Sequence, residues 1–244
     1  MRRFTIAPER IVDGRVTFDS LETRHLSRVL RLGPGDTVVA TDGAGHDYTV
    51  RLDAVGPRAT GVVVGVAETV VESPLQLTLV QGVPKADKLE TIVRAATELG
   101  VTRVVPAIAA RTVVRLTESQ ASARVARWQR VAREAAKQCG RAVLPEVETP
   151  RSLAECLVAA AHADLALCCW EGGGVPLAEA LGAAAAPRAA LLVIGPEGGL
   201  AAAEVEAARA RGLIIASLGP RTLRTETAGP AVLAILQARF GDLG

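Results

Sequence analysis

The sequence predicts an α/β chain in two parts: a small β-barrel over residues 1–72 and a mainly parallel α/β domain over residues 73–244. Three observations predict it. The first seventy residues alternate short Val/Thr-rich runs with Gly, Pro and Asp turns. From Ser73-Pro74 onward, apolar runs of strand length alternate with helix-length segments closed by glycine. Hydrophobic residues make up 49% of 244 positions, enough for a sizeable core. Aromatic residues make up only 2%, so that core has to be built from Ala, Val and Leu.

The elements follow in order. Residues 15–18, 37–40, 48–52 and 61–66 read as barrel strands, spaced closely enough for a small closed sheet. One helical patch, residues 21–30, interrupts them and stops at Gly33-Pro34-Gly35-Asp36. In the second part, residues 75–81 form a buried strand and residues 85–99 a helix ended by Gly100. A strand at 101–107 and a long helix at 119–139, ended by Gly140, come next. Further apolar strands fall at 165–170, 189–194 and 213–218, with a helix at 201–211 closed by Gly212 between the last two.

Composition narrows the function classes. No apolar stretch reaches the roughly 18 residues of a membrane span, and the start lacks the apolar region of a signal peptide. A soluble cytoplasmic protein is expected. The cysteines (Cys139, Cys156, Cys168, Cys169) form no C-x-x-C pair and the histidines are far apart, so no metal site is expected. The net charge of +2 conceals an excess in the middle, where residues 103–141 carry nine basic against two acidic side chains. A concentrated basic region invites a polyanion.

Three constellations carry chemistry. The first is Val193-Ile194-Gly195-Pro196-Glu197-Gly198-Gly199-Leu200, a buried strand running into a loop with three glycines. Ligands of α/β sheets sit at strand carboxyl ends, where glycines expose backbone NH and CO groups. The bland alternative is a tight turn without a ligand. No Walker loop and no G-x-G-x-x-G occurs, which argues against a nucleotide phosphate site and a Rossmann site. The second is Ser217-Leu218-Gly219-Pro220-Arg221-Thr222-Leu223-Arg224-Thr225-Glu226-Thr227-Ala228, another strand ending in Gly-Pro. Here Thr225 or Thr227 suits a helix cap, and Arg224 with Glu226 suits a surface pair. Two such loops on neighbouring strands can close on one ligand. The third is the helix at 121–139. At about 100° per residue, Val125, Trp128, Ala132, Ala135, Ala136 and Cys139 share an apolar face, and Arg127, Arg130, Arg133 and Lys137 a free basic one. Arg24, Arg28 and Arg31 form a second basic face at helical spacing. Either face suits RNA phosphates or plain solvent.

These residues together resemble the knotted (SPOUT-type) ribosomal RNA small-subunit methyltransferase E family, whose members methylate N3 of a uridine in bacterial small-subunit RNA. The resemblance runs through Arg24-His25-Leu26, Leu30-Arg31, Lys85, Glu98-Leu99-Gly100-Val101, Arg111, Trp128, Gln138-Cys139-Gly140-Arg141 and Pro145, both glycine loops and the tail Phe240-Gly241-Asp242-Leu243-Gly244. Two positions depart from it. Ala110 stands where an acidic residue often precedes Arg111, so no carboxylate acts from there. Ala201 stands where a Ser usually caps a helix, at a cost of about 1 kcal/mol.

The resemblance implies a PUA-like RNA-binding barrel over 1–72 and a trefoil-knotted methyltransferase domain over 73–244, in a homodimer acting on 16S ribosomal RNA in the small subunit. The knot is beyond the reach of periodicity. S-adenosylmethionine (SAM) is the expected cofactor. Its expected site is Glu171; Ile194, Gly195, Pro196, Glu197, Gly198 and Gly199; Ser217, Leu218 and Gly219; and Leu223, Arg224 and Thr227. Arg111 and Arg224 are the candidates for stabilising charge on the uracil oxygens, with Glu226 or Glu171 as base or orienter. Glu197 stiffens its loop. Arg24, Arg28, Arg31, Lys85, Arg127, Arg130 and Arg133 are the expected RNA contacts. The rival readings are a non-catalytic RNA-binding module and a knotted methyltransferase acting on transfer RNA or another base atom.

Overall fold

The computed structural model describes residues 2–67, 69, 72–182 and 186–244. The chain separates into two compact units, one of Met1–Glu72 with Arg133–Leu144 and one of Ser73–Ala132 with Pro145–Gly244.

The first unit holds β1 (Arg3–Thr5), β2 (Ile11–Val12), β3 (Arg15–Thr17), α1 (Ser20–Arg24), β4 (Thr37–Thr41), β5 (Asp47–Ala54) and β6 (Thr60–Val66). They form one sheet in the order β1-β4-β5-β6-β3-β2, antiparallel except for β1 beside β4. Phe4 lies on β1 at one edge, and Phe18 follows β3 near the other. Their rings nonetheless meet edge to face at 5.9 Å, so the sheet curls round on itself. No ladder joins β1 to β2 among the described residues, and side chains rather than hydrogen bonds close the barrel. Val16, Val38, Ala40, Val50 and Leu52 fill it from alternate strand positions. Asp19 caps α1 by accepting the Glu22 N–H at 2.8 Å. A π-helical turn, His25–Val29, follows and drops Leu26 into the core while Arg24, Arg28 and Arg31 stay exposed.

Arg133–Leu144 is built into this unit by pairs that local sequence does not reveal. Lys137 forms an ion pair with Glu22, both side chains almost wholly buried. Arg141 pairs with Glu72 at 2.8 Å, and Val143 bridges Ala44. Burial pushes the Glu22 carboxyl up and outweighs the opposing pull of Lys137 and the Thr5 N–H.

The second unit is built on β7 (Gln76–Gly82), α2 (Lys88–Glu98), β8 (Arg103–Ile108), α3 (Glu118–Cys139, of which 118–132 belong here) and β9 (Glu146–Val147). Then come β10 (Arg151–Ser152), α4 (Leu153–Cys156), β11 (Leu165–Cys169), β12 (Val175–Pro176) and α5 (Leu177–Gly182). The unit ends with β13 (Ala189–Ile194), α6 (Ala202–Ala210), β14 (Ile214–Ser217) and α7 (Thr225–Phe240). All strands are parallel in the order β10-β8-β7-β13-β11-β14-β12, with β9 alongside β8. Alternation along each strand feeds two cores. Leu77, Leu79, Leu167, Leu192 and Ile194 face one, while Val80, Cys168, Leu191 and Val193 face the other. Burial on both faces explains why these strands read as unbroken apolar runs.

The basic stripe expected to be free is not. Arg127 pairs with Glu90 at 2.6 Å and with Asp87 at 3.5 Å, and Lys137 is taken by Glu22. Arg133 is half-buried, and only Arg130 stays exposed without a partner among the described residues. The partners come from Glu22, Asp87 and Glu90, which lie outside the helix and so do not show in its own run of residues. The apolar face is as expected, with Trp128, Ala132, Ala135 and Ala136 buried. Among the described residues no helix is long and apolar enough to cross a membrane, and no group of three His, Cys, Asp or Glu is placed to hold a metal ion.

Candidate active site

Three parallel strands end level with one another. Cys169 of β11 is in register with Ile194 of β13 and Ala216 of β14, so three chain segments leave the sheet together. A cavity of about 430 Å³ lies at these carboxyl ends, within the second unit. Its wall consists of Cys169-Trp170-Glu171, Ile194 to Gly199, Ser217 to Glu226, Ala228 and, from the start of α2, Lys88. The carboxyl ends of parallel strands are where such sheets bind ligands, and the volume lies in the range of small-molecule sites.

The glycines make the wall thin. Gly199 holds φ +70°, and a Cβ there would run into the Glu171 carboxylate lying over it. Gly219, at φ +98°, has open space where its Cβ would stand, so its backbone is bare to the cavity side. Beneath the loops lies a buried polar node. Gln81, at the end of β7, donates to the Thr225 hydroxyl at 2.8 Å, and that hydroxyl donates to the Gly195 carbonyl at 2.6 Å.

At the mouth, Lys88 pairs with Glu197 at 3.2 Å and Glu226 at 3.3 Å. Glu197 also accepts the Lys85 backbone N–H at 3.0 Å. Burial pushes the Glu197 carboxyl up, but bonds from its own and Lys85's N–H together with the Lys88 ammonium outweigh it and hold it below the usual range. Glu226 is lowered by its own backbone N–H and by Lys88, with help from Arg224. Lys88 is raised in turn, chiefly by Glu197. Cys168 and Cys169 are pushed up to about 12 by burial, which leaves them as inert packing thiols.

The wall gathers nearly all the expected cofactor residues: Glu171, the run Ile194, Gly195, Pro196, Glu197, Gly198, Gly199, then Ser217, Leu218, Gly219, Leu223 and Arg224. Thr227 is not among them. It is exposed on the first turn of α7, where Thr225 and Ala228 are buried, its N–H bound to the Arg224 carbonyl. Neither threonine caps the helix; Arg224 is the cap residue and Thr225 is turned inward. Arg111 also stands outside the wall, with its guanidinium on the Gly198 carbonyl at 2.9 Å. Arg224 lines the cavity; its carbonyl accepts the Thr227 and Ala228 N–H groups, while its guanidinium forms no ion pair or hydrogen bond among the described residues and acts on Glu226 only through its charge. Lys85 is exposed, as are Arg24, Arg28 and Arg31.

The missed Ser cap is partly replaced. Glu204 accepts the Ala201 N–H at 2.9 Å through one oxygen and the Ala110 N–H at 2.8 Å through the other, tying the start of α6 to the chain after β8. Lys88, Gln81 and Thr225 were not foreseen as site residues. A polar Gln closing an apolar strand was the one local signal available.

A parallel sheet with glycine-loop walls at its carboxyl edge makes the second unit a ligand-binding α/β domain, and its likeness to known proteins gives the class, an RNA methyltransferase. A family model described as "RNA methyltransferase domain" matches residues 71–237, and one described as "RNA methyltransferase PUA domain" matches residues 21–59. The chain is 34% identical over 238 residues to ribosomal RNA small subunit methyltransferase E of Synechocystis, covering 97% of this chain and 77% of that one. It is 33% identical over 213 residues to the Bacillus subtilis protein of that name, covering 85% and 83%. The crystal structure of a ribosomal RNA small subunit methyltransferase E from Neisseria gonorrhoeae bound to S-adenosyl methionine superposes with TM-score 0.87 at 33% identity, covering 100% of both chains. A putative methyltransferase from Legionella pneumophila with bound SAM superposes with TM-score 0.91 at 28% identity, covering 99% of this chain and 98% of that one. The chain belongs to the ribosomal RNA small subunit methyltransferase E family.

Proposed function

We propose that the protein transfers a methyl group from SAM to 16S ribosomal RNA of the small subunit, at N3 of a uridine as its family membership implies. The observation that carries this is the cavity where β11, β13 and β14 end together, enclosed by two glycine loops and bearing Arg224, whose guanidinium has no hydrogen-bond or ion-pair partner among the described residues. The cavity suits the cofactor on its own chemistry. It has room for a nucleoside-sized ligand, bare backbone on two sides for hydrogen bonds, and the Glu171 carboxylate over Gly199.

When bound, SAM supplies a methyl group already activated on a sulfonium. The protein's tasks are to orient N3 and to manage its proton and the charge that spreads onto the ring oxygens. Arg224 is the group we assign to that charge. Arg111 acts through the loop it holds at Gly198 rather than on the base. Glu226, lowered in proton affinity by its own backbone N–H and by its pairing with Lys88, orients rather than abstracts. Glu171 forms no ion pair or hydrogen bond among the described residues and takes the remaining carboxylate role.

The same reading assigns RNA contact to the exposed Arg24, Arg28 and Arg31, and to Lys85 and Arg130. It includes a cytoplasmic homodimer and the knot expected of the family. Mass mapping of ribosomal RNA from cells lacking the protein tests it. Loss of one methyl from a small-subunit uridine is expected, and loss from transfer RNA or another base atom would redirect the reading. A chain that gives no thermal shift with SAM or its demethylated product would instead be a binding module.

A further inference from the structure

We propose that Gln81 and Thr225 act as one unit, a pair of positioning residues that sets the spacing of the two loops around the cofactor cavity. The assignment rests on the functional reading above.

Gln81 is fully buried at the carboxyl end of β7. Its side-chain nitrogen lies 2.8 Å from the Thr225 hydroxyl, 3.1 Å from the Gly82 carbonyl and 3.5 Å from the Gly195 carbonyl. Two carbonyls and a hydroxyl around one atom fix the orientation of the amide, because its oxygen could not sit against two other carbonyl oxygens. The Thr225 hydroxyl has a single proton, and the 2.6 Å contact commits it to Gly195. The relay therefore runs one way, from the Gln81 NH₂ to the Thr225 oxygen, and from the Thr225 OH to the Gly195 carbonyl.

This relay joins the end of one strand, the first residue of one glycine loop and the first residue of the helix that follows the other. Its members are 144 and 30 positions apart in the sequence. Backbone hems Gly195 in on two further sides. A Cβ on Gly82 would run into Pro196, and a Cβ on Gly195 would stand 3.1 Å from the Gly199 carbonyl carbon. The Thr225 hydroxyl holds Gly195 on a third side, and with it the loop that ends under Glu171. A polar node kept only for stability would tolerate apolar isosteres of the same shape. One kept to set a ligand's walls would not.

The test uses Thr225→Val and Gln81→Met, both close in shape, on the full chain. SAM affinity is read by calorimetry, KM for SAM and kcat are read separately, and melting is measured without ligand. Thr225→Val is expected to weaken SAM binding about tenfold, equivalent to about 1.4 kcal/mol, through KM rather than kcat at saturating cofactor. Thr225→Ser, which keeps the hydroxyl, should restore binding. The double variant should be little worse than the single ones, as expected of groups acting together. Lowered melting with unchanged SAM affinity in Thr225→Val and Gln81→Met would overturn the proposal. If Thr225→Val does not fold, Gln81→Met alone decides it, since it leaves the Thr225–Gly195 bond in place. Failure of the unsubstituted protein to bind SAM would remove the functional reading itself, a result distinct from failure of the variants alone.

Discussion

Arg111 donates from Nη1 to the carbonyl oxygen of Gly198 across 2.9 Å. A guanidinium held there braces the loop that walls the cavity. Arg111→Ala is expected to weaken SAM binding about tenfold, the low end of the about 1.5–3 kcal/mol for hydrogen bonds to charged groups, because the contact is exposed. Arg111→Lys should recover part of it, lacking the planar fork. Calorimetry checks both; unchanged affinity in Arg111→Ala contradicts the assignment.

Arg221 and Arg224 both line the cavity without a side-chain hydrogen bond or ion pair among the described residues, and Arg224 is the one whose charge also acts on Glu226. Arg224→Ala should fold and bind SAM, yet lose about 10²-fold in turnover, the scale of removing one preorganised donor. Single-turnover rates at saturating cofactor measure this directly. A near-normal rate would remove Arg224 from the charge-stabilising role and leave Arg221 as the arginine of the wall to replace next.

Two glycines with positive φ should respond differently to alanine. At Gly212, φ +83° with open space around the added Cβ, the cost is backbone strain of about 1–3 kcal/mol. At Gly199 the methyl also meets the Glu171 carboxylate. Gly199→Ala should therefore abolish the thermal shift with SAM, while Gly212→Ala lowers melting and keeps the shift. Equal loss of the shift in both variants would show that steric contact with Glu171 is not the cause.

The Lys88 cluster makes a pH prediction. Glu197 and Glu226 are depressed in the fold, so their stabilisation is present above the unfolded value of about 4.3 and is lost as pH falls through the folded values. Lys88 is raised, so its share is present below about 10.4 and is lost as pH rises through its folded value. Lys88→Met should shallow the acid limb of a melting-against-pH curve and leave neutral pH as the region of greatest difference from the parent. A constant difference across acid pH would contradict the pairing.

Exposed and paired arginines should separate in RNA binding. Arg28→Ala and Arg31→Ala should each weaken RNA affinity and reduce the salt slope by about 0.7–0.9 per lost phosphate contact. Arg127, occupied by Glu90 and Asp87, should cost stability more than RNA affinity when replaced. Affinity measured from low to physiological salt distinguishes the two. A flat salt dependence of the parent protein would count against phosphate contact altogether.

Much of the architecture was legible because local patterns carry it. Residues 189–194 read as a strand and are one, and the glycines after residues 99, 139 and 211 stop helices within a residue or two. The two glycine loops were legible for the same reason, since strand, turn and helix signals are contiguous. Lys88 and Gln81 were not, because their roles depend on Glu197, Glu226 and Thr225, more than a hundred positions away. The pairing of the basic stripe on α3 is hidden from the sequence as well, because Glu22 and Glu90 belong to other elements and reach it only after the chain folds.

By itself, then, the sequence determined the alternation of strands and helices, the positions of the bare-backbone loops and, through its motifs, the family. Those properties are set by periodicity and by residues close along the chain. Only the tertiary structure decided which charges are spent and which remain. It committed Arg111 to a loop carbonyl, Glu226 to Lys88 and Thr225 to Gly195, and it left the Arg224 side chain in the cavity wall without a hydrogen-bond or ion-pair partner among the described residues. The physical reason is that hydrogen bonds and ion pairs act over a few ångströms of space, and sequence separation does not measure that distance.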